Sequence, residues 1–239
     1  MEGFYSPLQG DASSNGALTF GMIFQQISKV FEAGGVVMWP LLGFSILAVA
    51  LILERLRFWF QITQRQDKFV RELLDLYQRS PRAALLQLEQ NLDLPIARIF
   101  MAALGLDRPN PEEFRLALES AAQAEMPLLK RFNIVFETII SLSPLLGLLG
   151  TILGLIRSFA SLRIGDAGSN NAVPVSSGIS EALTSTASGL AVAIFTLAFA
   201  NTFRGLYLRQ IALIQEYGGQ MELLYRRRYE RGEIPYASS

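Results

Sequence analysis

The residues best suited to chemistry lie where a carboxylate and several hydroxyls precede a long apolar run. Glu181, Ser185 and Ser188 share one face of a predicted helix, and Thr186 and Gly189 lie on a neighbouring strip of small residues. Hydroxyls both donate and accept hydrogen bonds, so they can orient water or a protonated carboxyl without burying a charge. A carboxylate within a membrane span usually marks an ion path.

Position alone gives Glu181 a second interpretation. It lies near the start of the predicted helix, where the helix dipole stabilises a carboxylate, so it could also mark the membrane boundary. These residues therefore predict either ion conduction or a boundary at the helix start.

A second group of small residues lies in the preceding apolar run. Helical spacing places two serines, one threonine and three glycines on a single face, and Gly150 and Gly154 form a GxxxG pair. The members of this face are Ser143, Gly147, Gly150, Thr151, Gly154 and Ser158. Small residues let helix backbones approach closely in lipid, so this face predicts either an oligomer or packing against the other spans of the same chain. Pro144 is tolerated if a kink or a neighbour satisfies the freed carbonyl.

The elements that carry these residues are predicted to be membrane-spanning helices. The chain is 51% hydrophobic and 18% charged, and residues 34–53, 138–156 and 182–203 contain no charged side chain. Each run has about the length that a helix needs to cross a bilayer. No alternating strand pattern of useful length is present, so we predict an all-α polytopic protein with three transmembrane helices.

Composition also excludes several classes of function. The chain has no Cys and no His, which removes thiolate nucleophiles, histidine bases and Cys/His metal sites. Lysine plus arginine equals aspartate plus glutamate at 21 each, so no basic surface indicates nucleic-acid binding. We therefore expect no enzyme activity, no metal and no cofactor.

The distribution of basic residues predicts the orientation. Lys29 is the only basic residue of residues 1–33, whereas residues 54–131 contain twelve Lys and Arg. Four of these lie at span ends: Arg55, Arg57, Lys130 and Arg131. The positive-inside rule then places the N-terminus outside and the C-terminus in the cytoplasm. Trp39 and Trp59 lie near the two ends of the first span, where interfacial aromatics are common.

The predicted layout has seven segments. Two of the transmembrane helices are expected to extend into the cytoplasm, because residues 54–78 contain neither Gly nor Pro. Ser80 and Asn110, each followed by proline, predict helix starts in the cytoplasmic part. The segments are a periplasmic tail with an interfacial amphipathic helix (1–33), the first span (34–57), a cytoplasmic helical region (58–131), the second span (132–158), a periplasmic loop (159–177), the third span (178–203) and a cytoplasmic C-terminal helix and tail (204–239).

Two sequence stretches resemble a known family. "SPLLGLLGTILGLIRSF" followed by "SSGISEALTSTASGLAVAIFTLAFAN" closely resembles the paired transmembrane motifs of the ExbB/TolQ/MotA proton-channel family, nearest to ExbB and TolQ. The first apolar run, with Glu-Arg at its inner end, resembles the family's first span. The similarity covers the whole membrane part.

The resemblance implies a homopentamer in the bacterial inner (plasma) membrane whose second and third spans line a central pore. It also implies a single-span partner similar to ExbD or TolR inside that pore, and a TonB- or TolA-like protein beyond it. By motif position Thr151 and Thr186 match the pore threonines, and Glu181 matches the glutamate of the third span. Asn201 matches an asparagine at the inner end, whereas Phe195 stands where many relatives have proline, which leaves any proline-hinge mechanism in doubt here.

The function that this resemblance implies is a proton channel and stator subunit that couples the protonmotive force to a periplasmic or outer-membrane process, such as TonB-dependent import. Alternatives within the family are a Tol-type or a flagellar-type stator, although the latter usually has four spans. A non-conducting membrane scaffold would explain the GxxxG face but not the hydroxyls gathered with Glu181. An intramembrane enzyme is disfavoured, because no serine lies in a GxSxG-like motif.

Overall fold

A computed structural model describes residues 31, 34–164 and 172–233, and within these ranges the chain is helical with no strand. The helices are α1 (Met38–Arg79), α2 (Pro81–Glu89), α3 (Pro95–Leu104), α4 (Pro111–Leu129), α5 (Asn133–Ile164) and α6 (Ala172–Glu230). The prediction of an all-α protein is confirmed for this part of the chain. The predicted amphipathic helix before the first span lies outside the described residues, apart from Phe31.

The short helices begin where the sequence predicts. The Oγ of Ser80 accepts a hydrogen bond from the backbone N–H of Ala83 at 3.4 Å. Asn110 forms a capping box with Glu113, in which each side chain accepts from the backbone N–H of the other at 2.8–2.9 Å. These caps satisfy N–H groups that would otherwise have no partner in the first helical turn.

Two of the described helical segments are long and apolar enough to cross a membrane. They are Pro111–Ala160, which covers α4 and most of α5, and Ser176–Glu230, which forms most of α6. The predicted first span, 34–57, is not among them, so the count of three spans stays a prediction. α5 extends to Ile164 and α6 begins at Ala172, so both helices extend into the stretch predicted as a loop.

The chain divides into two compact units. Unit 1 comprises residues 1–48 and 137–197, and unit 2 comprises residues 49–136 and 198–239. In unit 1 the start of α1 forms an apolar cluster with α5, in which Val37, Met38 and Leu41 pack against Leu146 and Leu153. This unit carries nearly all of the candidate site residues.

Unit 2 has a helical core of buried apolar side chains, to which several polar contacts between helices are added. Phe114 of α4 stacks on Tyr225 of α6 at 4.0 Å between ring centroids. The Tyr225 hydroxyl donates to the carbonyl of Pro109 at 2.5 Å, and burial raises the pKa of Tyr225 to about 12. Arg98 of α3 makes a bidentate pair with Glu125 of α4 at 2.6–2.7 Å, and this hydrogen bonding raises the pKa of Arg98.

Candidate functional site

The candidate site is built on the contact between α5 and α6 in unit 1, which we call the glycine seam: Gly147, Gly150 and Gly154 of α5 with Gly178, Ser185 and Gly189 of α6. A methyl group added at Gly154 would lie 2.7 Å from the carbonyl oxygen of Gly178 and 3.0 Å from Ala182 Cβ. One added at Gly147 would lie 3.0 Å from the Ser185 carbonyl oxygen and from Thr186 Cα. Glycine is therefore required along the seam for close approach, and not for an unusual backbone conformation.

Serine residues fill the space that the other glycines leave. The Ser185 side chain, which is fully buried, occupies the position that a Cβ at Gly150 would take. At the other end of the seam, a Cβ at Gly189 would overlap the backbone carbonyl oxygen of Ser143. The Ser143 residue is also fully buried. The small face of α5 was predicted either to form an oligomer or to pack against another span of the same chain. In the structure, α6 of the same chain packs against the glycines of this face.

Two hydroxyls from α6 converge on one carbonyl of α5. Thr186 Oγ1 donates to the Gly147 carbonyl oxygen at 3.1 Å, and Ser185 Oγ lies 3.4 Å from the same atom while donating to the Ala182 carbonyl at 2.9 Å. This arrangement puts polar groups in the middle of two apolar helices. Two hydroxyl groups and one backbone carbonyl therefore lie together at this point of the seam.

Thr151 lies one turn beyond Gly147 on α5 and is half-buried. Its hydroxyl donates to the carbonyl of Leu148 at 2.6 Å, within its own helix. Thr186 thus bonds to the turn of α5 that precedes Thr151, and the hydrogen bond of each hydroxyl goes to a backbone carbonyl.

Glu181 has a charged partner that the sequence did not indicate. Arg157 of α5 donates through Nη1 to Oε1 of Glu181, which is 16% exposed, while half of the Arg157 side chain is exposed. Gly35 lies against the same carboxylate. Sequence reasoning missed both residues, and no local spacing indicates them, because the contacts depend on how separate segments of the chain pack together.

The remaining predicted residues lie at less specific positions. Pro144 and Ser188 are half-buried, and α5 continues through Pro144 without interruption. Asn201 is exposed and belongs to unit 2, so the structure does not place it with the seam. Phe195, which is half exposed, lies within α6, and the helix continues through it. Among the described residues no three His, Cys, Asp or Glu side chains lie close enough together to hold a metal ion.

The fold and the glycine seam define a helical membrane protein in which two apolar helices enclose a row of small and hydroxyl-bearing residues. The chain belongs to the MotA/TolQ/ExbB proton channel family, which matches residues 91–216. Within that family it is close to ExbB.

Three relatives illustrate this relationship. The chain is 63% identical over 208 residues to the biopolymer transport protein ExbB-like 3 of Synechocystis sp., an alignment that covers 87% of this chain and 99% of the relative. It is 44% identical to ExbB-like 1 of the same organism over 82% of this chain and 78% of the relative. It is 26% identical to an ExbB homolog of Methanothermobacter thermautotrophicus over 76% of this chain and 64% of that protein. The predicted family is thus confirmed.

Proposed function

We propose that the chain is the proton-channel and stator subunit of an inner-membrane motor that couples the protonmotive force to work outside the membrane. The observation that carries the proposal is the convergence of the Thr186 and Ser185 hydroxyls on the Gly147 carbonyl inside two apolar helices. Polar side chains in such a setting are costly unless they serve packing or an ion path. Membership of a proton-channel family supports the ion path.

In this proposal Thr186 and Thr151 lie along the path of the proton. Each hydroxyl can rotate to donate to a backbone carbonyl, as observed, or to accept a hydrogen bond from water or from a protonated carboxyl. Neither residue needs to carry a charge. The proton-accepting group is then supplied by a partner, as the family resemblance implies.

The apolar faces of α5 and α6 support insertion in lipid. Many large side chains of unit 1 are exposed on these helices although they are hydrophobic, which is the arrangement expected for contact with acyl chains. They include Leu145, Leu148, Ile156, Leu183, Ile194 and Phe195. The start of α1 has the same character at Trp39, Leu42 and Ile46, which favours a third span at 34–57.

The orientation proposed from the basic residues has the N-terminus in the periplasm and the C-terminus in the cytoplasm, with the helices of unit 2 in the cytoplasm. The polar links between Arg98 and Glu125 and between Gln66 and Gln210 suit an aqueous compartment better than lipid. Exposed charges on α4, such as Arg115 with Glu112 and Glu119, support the same assignment.

The partners proposed are further copies of this chain, a pentamer by family resemblance, and a single-span protein similar to ExbD or TolR in the central pore. Moving one charge through about 100 mV is worth about 2.3 kcal/mol, so several protons must combine for a useful mechanical step. TonB-dependent import is the process we favour, since the named relatives are ExbB-like biopolymer transport proteins. Tol-type and flagellar-type stators are the alternatives within the family, and no enzyme activity is proposed.

Co-purification tests the assembly. The chain should be isolated with a single-span protein that bears an aspartate in its span, and the mass of the intact complex should give five copies of this chain. A stable monomer without such a partner would contradict the proposal.

Proton flux tests the path. Thr151→Val, Thr186→Val and Glu181→Ala should each reduce flux through the reconstituted complex. Full activity in all three variants would show that the pore is elsewhere, and a wild-type complex that conducts nothing would favour the scaffold.

A further inference from the structure

In unit 1 the Glu181 carboxylate is in contact with Arg157 on one side and with the backbone at Gly35 on the other. A carboxylate that only binds and releases protons in an ion path does not need such contacts. On one side Arg157 of α5 donates to its Oε1. Only 16% of the Glu181 side chain is exposed, against 50% of Arg157, so the carboxylate is largely withdrawn from solvent while the guanidinium reaches it from the surface. A withdrawn carboxylate needs a compensating charge or hydrogen bonds, and Arg157 provides both.

On the other side the backbone before α1 lies directly against the carboxylate. Gly35 has a φ of +69°, which residues with a side chain rarely adopt, and a Cβ built there would overlap the Glu181 carboxyl group. The Gly35 carbonyl accepts a hydrogen bond from the N–H of Met38 at 3.2 Å, so this turn leads directly into α1. From its place on α6, Glu181 therefore contacts α5 and the turn that leads into α1.

The seam next to this pair is closely packed. Ser158, the neighbour of Arg157, is buried, and a Cβ added at Gly178 would overlap its hydroxyl. Arg157 and Glu181 therefore lie beside a contact at which α5 and α6 cannot come closer together.

We propose that Arg157 is a positioning residue that compensates the charge of Glu181 and so fixes α5, α6 and the turn at Gly35 to one another. In this arrangement, which rests on the proposed channel function, Glu181 is a fixed anchor at one end of the seam and does not itself carry the proton. The ion path then depends on the Thr186 and Thr151 hydroxyls and on the partner's carboxyl.

Paired neutralisation separates an anchor from a proton carrier. The complex with its single-span partner is reconstituted in liposomes with Arg157→Gln, Glu181→Gln, the double variant and Arg157→Lys. Each single glutamine variant leaves one uncompensated charge, so flux should fall at least about fivefold and the thermal midpoint of the complex should fall by several degrees. The double variant should recover flux to within about threefold of wild type, and Arg157→Lys should rescue most of the activity.

A matched ion pair serves as the control. Arg226 pairs with Glu222 on α6 at 3.5 Å, and its side chain is 48% exposed, close to the 50% of Arg157. Arg226→Gln should leave both flux and the thermal midpoint unchanged, because pairs of this kind within a helix contribute little.

Three results would overturn the proposal. A double variant as inactive as Glu181→Gln alone would make Glu181 itself part of the ion path. Single variants with unchanged thermal midpoints would show that the pair does not hold the helices. If Gly35→Ala is as stable as wild type, the backbone at Gly35 does not contact the Glu181 carboxylate as proposed. If the wild-type complex conducts no protons, the proposed function fails, and the thermal midpoints still decide whether the pair exists.

Discussion

Replacing Gly154 by alanine tests whether α5 and α6 contact each other as closely as the seam requires. The new methyl group would lie 2.7 Å from the Gly178 carbonyl oxygen and 3.0 Å from both the N and the Cβ of Ala182. All three atoms belong to backbone or to a short side chain, so none can rotate away. The helices have to separate by roughly 0.5–1 Å to restore ordinary van der Waals contact.

The expected cost follows from two opposing effects. Alanine favours a helix over glycine by up to about 1 kcal/mol. Overpacking a close contact costs about 1–3 kcal/mol. Gly218 of α6 isolates the first effect, because a Cβ added there meets no atom within 4 Å. Gly154→Ala should therefore be about 1–3 kcal/mol less stable than Gly218→Ala, although both are the same substitution within a helix.

Thermal unfolding of the purified protein in lipid nanodiscs measures this difference, with tryptophan fluorescence as the signal, since the chain has only two tryptophans. For a chain of this size the difference corresponds to a midpoint roughly 2–12 °C lower for Gly154→Ala than for Gly218→Ala. Equal midpoints, or a more stable Gly154→Ala, would refute the close contact between α5 and α6.

Three further outcomes are expected. In this cysteine-free chain, Gly154→Cys with Ala182→Cys should form a disulfide within one chain on oxidation. The two Cβ positions lie 3.0 Å apart, and the separation of roughly 0.5–1 Å that a Cβ at position 154 requires brings them to about the distance that a disulfide spans. Non-reducing gels that show only cross-linked dimers would contradict this. Burial raises the pKa of Tyr77 to about 12, so the stability that its neutral form contributes is complete below pH 10 and is lost as the pH rises from about 10 to 12. In alkaline titrations followed by circular dichroism, Tyr77→Phe should therefore unfold at higher pH than wild type. An unchanged transition would be evidence against this role of Tyr77. Glu125→Gln removes the charge that pairs with partly buried Arg98, and chemical denaturation should show a loss of about 1–3 kcal/mol; no loss would mean that the α3–α4 contact does not depend on this pair.

Local features of the fold were predictable from the sequence, because their causes lie within a few residues. Ser80 and Asn110 predicted helix starts that the structure confirms, since a cap bonds to a backbone group two or three residues away. The small face of α5 was also predictable, because helical periodicity alone brings Gly147, Gly150 and Gly154 together.

Features that depend on distant residues were not predictable. Arg157 and Glu181 are 24 positions apart, and their pairing requires the register between α5 and α6, which no local pattern specifies. The role of Gly35 depends on a positive φ and on a carboxylate from another helix, so its position at the start of the first apolar run gave no indication. The sequence likewise placed Thr186 beside Glu181, while the structure gives its hydroxyl a partner on α5.

Flux through the reconstituted complex with Thr186→Val and Thr186→Ser measures the central claim most directly. Both variants keep a small side chain at the seam, but only serine keeps the hydroxyl that donates to the Gly147 carbonyl at 3.1 Å. An ion path through the seam predicts that valine lowers proton flux roughly tenfold or more, while serine stays within about threefold of wild type and both assemble normally. Valine and serine variants with equal flux would contradict it.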